Sequence, residues 1–286
     1  MNKILKVTGL SKFYRGFSLE DVSFTLPEDC ITGFIGVNGA GKTTAIRAIL
    51  GLIKKDAGKI EILGQDMSSN AQRIRNRIGV VLDEGFFYQN LTMEEMKSII
   101  APAYTNWQER DYHNYMDRFS LNPRQKISTL SKGMRMKFAL ALALSHQAEL
   151  LIMDEPTSGL DPLIRSELLD IMKSYLQEGG RGVLFSTHIT SDLDKAADLL
   201  ILIHQGKILF QREKDALLDN YRIAQADPRA LKKQDRKLFL SFQETEYRFT
   251  GITRRGNELQ ESVPGCLLER PSIEDIMLAF IERERS

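Results

Sequence analysis

Short apolar runs alternating with longer amphipathic stretches set the pattern of most of this chain. Ile4-Leu5-Lys6-Val7, Phe17-Ser18-Leu19 and Val22-Ser23-Phe24 carry β-formers with weak alternation, which predicts short antiparallel strands across residues 4–26. Residues 31–35 read as a buried strand. Residues 42–50 place Ile46, Ile49 and Leu50 at helical spacing before Gly51 stops the run. Further strands are predicted at 58–63, 78–82, 150–153, 183–186 and 199–203, and helices at 163–176 and 191–197. Residues 92–145 read as mainly helical, with breaks near Pro102 and Pro123. Strand-length apolar runs interleaved with helices predict an α/β fold with a mainly parallel sheet covered by helices.

The pattern changes after about residue 220. Residues 224–237 are polar and contain Pro228; two β-like runs follow at 238–242 and 247–250. A last amphipathic helix is predicted over 273–283, with Ser272 as its N-cap and Glu274 and Asp275 in its first turn. The expected division is a large domain over 1–220 and a small α+β appendage over 221–286.

Composition narrows the class. In 286 residues the net charge is +1, so there is no bulk positive field for nucleic acid, and nucleic acid is not an expected partner. Cys30 and Cys266 lack metal-ligand spacing and are expected to be reduced thiols. The first residues do not read as a signal peptide, and no window has the roughly 18 apolar residues of a membrane helix. Work at a membrane would then be that of a peripheral subunit.

Gly36-Val37-Asn38-Gly39-Ala40-Gly41-Lys42-Thr43 matches G-x-x-x-x-G-K-[ST], between a predicted strand and a predicted helix. In such a loop the glycines let backbone N–H groups approach phosphate oxygens, and the helix N-terminus adds partial positive charge. Lys42 is expected on the β- and γ-phosphates, Thr43 on Mg²⁺ and Thr44 near the α-phosphate. Downstream, a second apolar strand ends in Asp154-Glu155. Set beside the phosphate-loop strand, it would bring Asp154 near Mg²⁺ and Glu155 to an attacking water. Either acid alone is also readable as a strand-end residue capping a neighbouring helix, a reading that the pair following a phosphate loop at this distance disfavours. His188, after Ser186-Thr187, is placed to touch a γ-phosphate, although lone histidines are more often structural; His113, His146 and His204 lack such a setting.

Leu130-Ser131-Lys132-Gly133-Met134 opens an Ala/Leu-rich helix, and Ser158-Gly159-Leu160-Asp161 follows the acid pair. With the phosphate loop, Asp154-Glu155 and His188 this ordered set resembles the ABC transporter ATPases over about residues 4–215. Within them it resembles bacterial ATPase subunits that pair with separate permeases, often in peptide-antibiotic export or resistance. The resemblance implies a P-loop NTPase core with a RecA-like sheet, an N-terminal antiparallel β subdomain and a helical subdomain inserted at about 84–145. ATP and Mg²⁺ are the implied cofactors, and a second copy or a paralogous ATPase is the implied head-to-tail partner. Ser131 and Gly133 would then contact the γ-phosphate held by the other subunit, Asp161 would line the interface, and Tyr14 would stack on adenine. Catalysis is assigned to Glu155, His188 and Lys42. The implied location is cytoplasmic, on the inner face of the cell membrane.

Two motifs depart from the family pattern, at three positions. Lys132 and Met134 replace the glycine and glutamine of Leu-Ser-Gly-Gly-Gln. Asp83 stands where glutamine is usual; as an oxygen ligand it remains a candidate for Mg²⁺, with Glu84 as the alternative partner. Phe86, Phe87, Tyr88, Tyr104, Trp107, Tyr112 and Tyr115 form an aromatic-rich stretch. The resemblance implies that it forms a groove for a short permease helix, with residues 86–88 the better contacts; the residues themselves read equally as the core of the helical segment. Pro271-Ser272-Ile273-Glu274-Asp275 resembles a C-terminal element of exporter-type ATPases.

Overall fold

The computed structural model describes every residue except Met1, 84–86, Lys233, Gln234 and Ser286, and the side chain of Arg285. Glu84 and Phe86 therefore lie outside the described residues. The chain divides into two compact units, Met1–Ile208 and Leu209–Ser286. The composition shift near 220 falls past that boundary, because residues 209–220 keep the strand and helix character of what precedes them.

The first unit contains β1 (Lys3–Tyr14), β2 (Phe17–Pro27), β3 (Cys30–Ile35), α1 (Lys42–Ile49), β4 (Ala57–Ile62), β5 (Gln65–Asp66), α2 (Met67–Arg75) and β6 (Ile78–Leu82). It continues with α3 (Met93–Ile100), α4 (Glu109–Arg118), α5 (Lys132–Leu144), β7 (Leu150–Asp154), α6 (Pro162–Leu176), β8 (Gly182–Thr187), α7 (Thr190–Ala196) and β9 (Leu199–His204); β10 (Lys207–Glu213) begins in it.

β2, β1, β4 and β5 form an antiparallel sheet in that order. β1 and β2 are 12 and 11 residues long, longer than the short strands expected. Register shifts between Val7 and Leu10 and between Leu10 and Lys12 break the alternation along β1, so one bulged strand reads as several. Gly9, at φ +61°, sits in the first shift.

The larger sheet runs β10-β9-β3-β8-β7-β6, and β9 through β6 pair in parallel. Every residue of β3, β7 and β8 is buried, as strands covered on both faces require. β7 does not lie beside β3 as expected; β8 separates them. Three equally apolar strands suit the middle of a sheet equally well, so the sequence pattern leaves their order open. Phe24 of β2 packs on Phe34 of β3 with centroids 5.5 Å apart, joining the two sheets in one core. Between β6 and β7, Pro102 lies in a short 3₁₀ turn after α3 and Pro123 in the loop before α5. α5 packs close on β6: a Cβ on Gly79 would lie 2.8 Å from the Ala143 carbonyl oxygen.

The second unit adds α8 (Lys214–Asn220), β11 (Arg222–Ala226), β12 (Phe239–Glu244), β13 (Phe249–Thr253), α9 (Gly256–Ser262), β14 (Leu267–Glu269) and α10 (Ile273–Arg285). Its antiparallel sheet runs β12-β13-β11-β14, over a core that includes Ala224, Phe249, Leu259, Val263 and Cys266. The Ser272 hydroxyl accepts from Asp275 N and donates to the Asp275 carboxylate, closing the first turn of α10.

Candidate functional site

Parallel strands deliver their C-terminal ends to one edge of the sheet, where ligands of open α/β folds bind. The register aligns Ile35 with Thr187, Ser186 with Asp154, and Asp154 with Leu82. Gly36, His188, Glu155 and Asp83 each follow one of these strand ends, in the order β3, β8, β7, β6. Topology alone thus lines up a glycine loop, a histidine and two acids.

The glycine loop has steric reasons for two of its glycines. A Cβ on Gly36 would lie 2.5 Å from the Ile203 carbonyl oxygen. Gly41, the N-cap of α1, sits at φ +111°, and a Cβ there would lie 2.8 Å from Leu19 Cδ2. The loop closes through Ala40 N donating to Val37 O. Beside it opens a cleft of about 430 Å³, lined by residues 38–44, Phe17, Asp83, Glu155, Ser158 and His188. Among the expected site residues, Asn38, Gly39, Ala40, Gly41, Lys42, Thr43, Thr44, Asp83, Glu155 and His188 meet there. Tyr14 is 48% exposed, with Lys12 Nζ 5.2 Å from its ring centroid, and does not line the cleft. Phe17, its register partner across the β1–β2 hairpin, does.

Lys42 is buried and donates to Gly36 O at 2.7 Å. Its Nζ also faces Glu155 Oε1 at 3.1 Å, an ion pair in which Oε1 has no directed hydrogen bond. Glu155 Oε2 lies 2.8 Å from His188 Nδ1. The carboxylate is thus held between the phosphate-loop lysine and the histidine. Glu155 occupies the left-handed region at φ +50°, uncommon for a side-chain-bearing residue. Ser186 fixes it there. Its Oγ accepts from Glu155 N at 2.9 Å and donates to Asp154 Oδ1 at 2.6 Å, so one hydroxyl positions both acids. No motif announces Ser186 or Phe17; only the β7–β8 register and the hairpin turn bring them in.

The donor set suits a hard cation. Thr43 lines the cleft; Asp154, buried and outside that lining, keeps Oδ2 without a protein partner among the described residues. Oxygen donors of this kind, completed by water and phosphate, match Mg²⁺. Asp83 is differently placed: its Oδ1 lies 2.6 Å from Lys132 Nζ. Two of the three departing residues, Asp83 and Lys132, are therefore ion-paired with each other, across the loop after β6 and the first residue of α5. Lys132 also lies against Gly159, where a Cβ would be 3.5 Å from its Nζ.

Ser131, Gly133 and Asp161 line no part of this cleft. Ser131 caps α5 by accepting from Met134 N at 3.2 Å; Asp161 caps α6 by accepting from Leu163 N and Ile164 N, both at 3.1 Å. A Cβ on Gly133 would lie 2.6 Å from Ile164 Cδ1. Of the aromatic stretch, Tyr112 is fully buried, Phe87 packs on Phe138 at 5.1 Å, and Tyr88 is 66% exposed. Tyr104 stacks on His146 at 3.8 Å and borders an apolar groove of about 590 Å³ with Leu50, Leu52, Ile53, Val80 and Leu82.

Comparison with known proteins places this geometry. The ABC transporter family model matches residues 19–158. The bacitracin transport ATP-binding protein BcrA of Bacillus licheniformis is 37% identical over 212 residues, covering 73% of this chain and 69% of its own. The lantibiotic transport ATP-binding protein SrtF of Streptococcus pyogenes is 31% identical over 215 residues, covering 74% and 92%. A solved ATP-binding subunit of an ABC transporter superposes with a TM-score of 0.69 at 30% identity, covering 76% of this chain and 92% of that one. A strand-edge phosphate loop, a carboxylate held over its lysine and these relatives agree: the chain belongs to the ABC transporter family, as an ATP-binding ATPase subunit.

Proposed function

We propose that the chain hydrolyses Mg-ATP as one half of a head-to-tail ATPase pair, driving a separate membrane permease that exports its cargo. The observation that carries the chemistry is Glu155, held between Lys42 and His188 at the mouth of the phosphate loop. ATP phosphates take the N–H groups of the loop and the N-terminus of α1. Lys42 Nζ leaves Glu155 Oε1 for the β- and γ-oxygens. The freed Glu155 carboxylate accepts a proton from the water attacking the γ-phosphorus in line, while the bond to ADP breaks. His188 Nδ1 holds Oε2 and so aims the carboxylate. Mg²⁺, held by Thr43 and Asp154, would supply neutralising charge on the phosphate oxygens.

Pairing is supported by Ser131, Gly133 and Asp161, which face no nucleotide cleft of their own subunit and are free to complete that of a second copy or a paralogue. At the N-terminus of α5, Ser131 presents a hydroxyl and backbone N–H groups suited to a γ-phosphate. Tyr14 and Phe17, on one hairpin, are proposed as the adenine platform. The apolar groove beside Tyr104 suits a short apolar helix of the permease. No helix among the described residues is long and apolar enough to cross a membrane, which accords with a peripheral subunit on the cytoplasmic face. The names of BcrA and SrtF point to a peptide-antibiotic cargo. Residues 1–220 would form the nucleotide-binding domain, with 221–286 as its appendage.

ATP binding and turnover by the full chain test the assignment. Lys42→Ala is expected to lose at least tenfold in ATP affinity, and unchanged binding would defeat the phosphate-loop reading. Copurification of a membrane protein that Leu52→Asp releases would support the groove; capture insensitive to that change would remove it.

A further inference from the structure

Leu209–Ser286 holds a cleft of about 470 Å³ that the nucleotide chemistry leaves unused. That volume is within the range of small-molecule sites. One part of its lining is aromatic. Phe210 and Tyr221 are buried, and Phe280 lies 4.8 Å from the first ring and 6.0 Å from the second. The rest of the lining includes five cations, Arg212, Lys237, Arg254, Arg255 and Arg283, and no Asp or Glu among the described residues. Arg255 reaches Glu258 at 3.5 Å, and Arg254 lies over the Tyr221 ring at 5.1 Å. Arg212, Lys237 and Arg283 have no carboxylate partner among the described residues.

A second observation comes from Tyr221. It is only 5% exposed, lines the cleft, and its hydroxyl has no hydrogen-bond partner among the described residues. The ring is buried while the hydroxyl is not among the sealed, unpartnered polar atoms, so it opens on the cleft and is available to a ligand there.

These features converge on one chemistry. Like charges gathered around a concavity raise its positive potential, and an anion relieves their repulsion. Guanidinium groups favour oxyanions that accept two bonds at once, and a phosphate offers enough oxygens for several of them together. The aromatic wall suits an apolar body. We propose that this cleft binds a phosphate-bearing amphiphile, with its phosphate among Arg212, Lys237 and Arg254 and its apolar part against Phe210, Tyr221 and Phe280. The phosphate could belong to a membrane phospholipid or to a soluble organic phosphate. The proposal uses no residue of the ATP cleft and stands whether or not the hydrolytic mechanism does.

The test is calorimetric titration of the full chain with monomeric dihexanoyl phosphatidic acid, using dihexanoyl phosphatidylcholine as the zwitterionic control. Repetition in the Lys42→Ala chain removes any contribution from the phosphate loop. Phosphatidic acid is expected to bind both chains alike. Lys237→Gln with Arg254→Gln is expected to weaken binding about tenfold or more, and Tyr221→Phe several-fold, with circular dichroism unchanged. No binding, equal binding of phosphatidylcholine, loss on Lys42→Ala, or indifference to the double substitution overturns the proposal. Flotation with phosphatidylglycerol vesicles then separates the sources. Capture that the double substitution abolishes upholds a lipid phosphate; monomer binding without vesicle capture upholds a soluble one.

Discussion

Glu155 occupies the counter-ion position on Lys42 that a γ-phosphate would take. Glu155→Gln should therefore raise ATP affinity while abolishing turnover. The size follows from the pair's geometry. At 3.1 Å, with side chains 6% and 14% exposed, the attraction is nearer the interior limit than that of water. At an effective dielectric of about 20, two unit charges at that distance attract by about 5 kcal/mol; in water the figure is about 1.3 kcal/mol. Desolvation offsets much of the larger value, and Gly36 O still accepts from Lys42 when the carboxylate is gone. A net contribution of about 1–3 kcal/mol from the pair remains. ATP no longer has to displace it in the variant, so affinity should rise about 5–150-fold. The assay is equilibrium titration of both chains with a non-hydrolysable ATP analogue, alongside steady-state phosphate release. The nucleotide-free variant should also melt at a lower temperature and gain more from saturating ligand than the parent does. Affinity equal to or below the parent's would refute the competition argument. Turnover at the parental rate would remove Glu155 as the base.

Three further outcomes are expected. Ser186→Ala removes the hydroxyl that holds Asp154 Oδ1 and Glu155 N; kcat should fall about tenfold or more with nucleotide affinity changed far less, as separate kcat and KM measurements will show. Asp83→Lys or Lys132→Asp alone should depress permease-stimulated ATPase activity, and the charge-swapped double variant should recover part of it; a pair 37% and 39% exposed contributes about 0.5–1 kcal/mol, so a double-mutant cycle with no coupling would dismiss it. Burial holds His146 below the ordinary histidine value of 6.5, against carbonyl bonds from Ile78 and Leu142 that pull the other way. The unfolded chain then binds the extra proton first, so the stability due to the neutral ring is complete above about pH 6.5 and is lost as pH falls below it. Thermal midpoints between pH 7.5 and 5.5 should drop more steeply for the parent than for His146→Gln.

What the sequence disclosed and what it withheld divide along physical lines. The phosphate loop is legible because its geometry is local: consecutive residues carry the positive φ at Gly39 and Gly41 and the helix start at Lys42. The fully apolar β3 and β7 are legible as buried strands for the same reason. Strand order is not local. The insertion of β8 between β3 and β7 brings Ser186 under Asp154 and Glu155, and a serine at a strand end looks like any other serine until a register is assigned. Asp83 and Lys132 show the same limit more sharply. Each alone is a departure that weakens the expected role of its motif. Only their 2.6 Å contact across the fold turns two defects into one charge-compensated pair. The consequence is specific: replacing Lys132 with the usual glycine should release Asp83 rather than restore the common pattern, so the single reversion is expected to lower activity and the joint reversion of Asp83 to glutamine and Lys132 to glycine to preserve it. A single reversion that raises activity would mean that the pair is incidental.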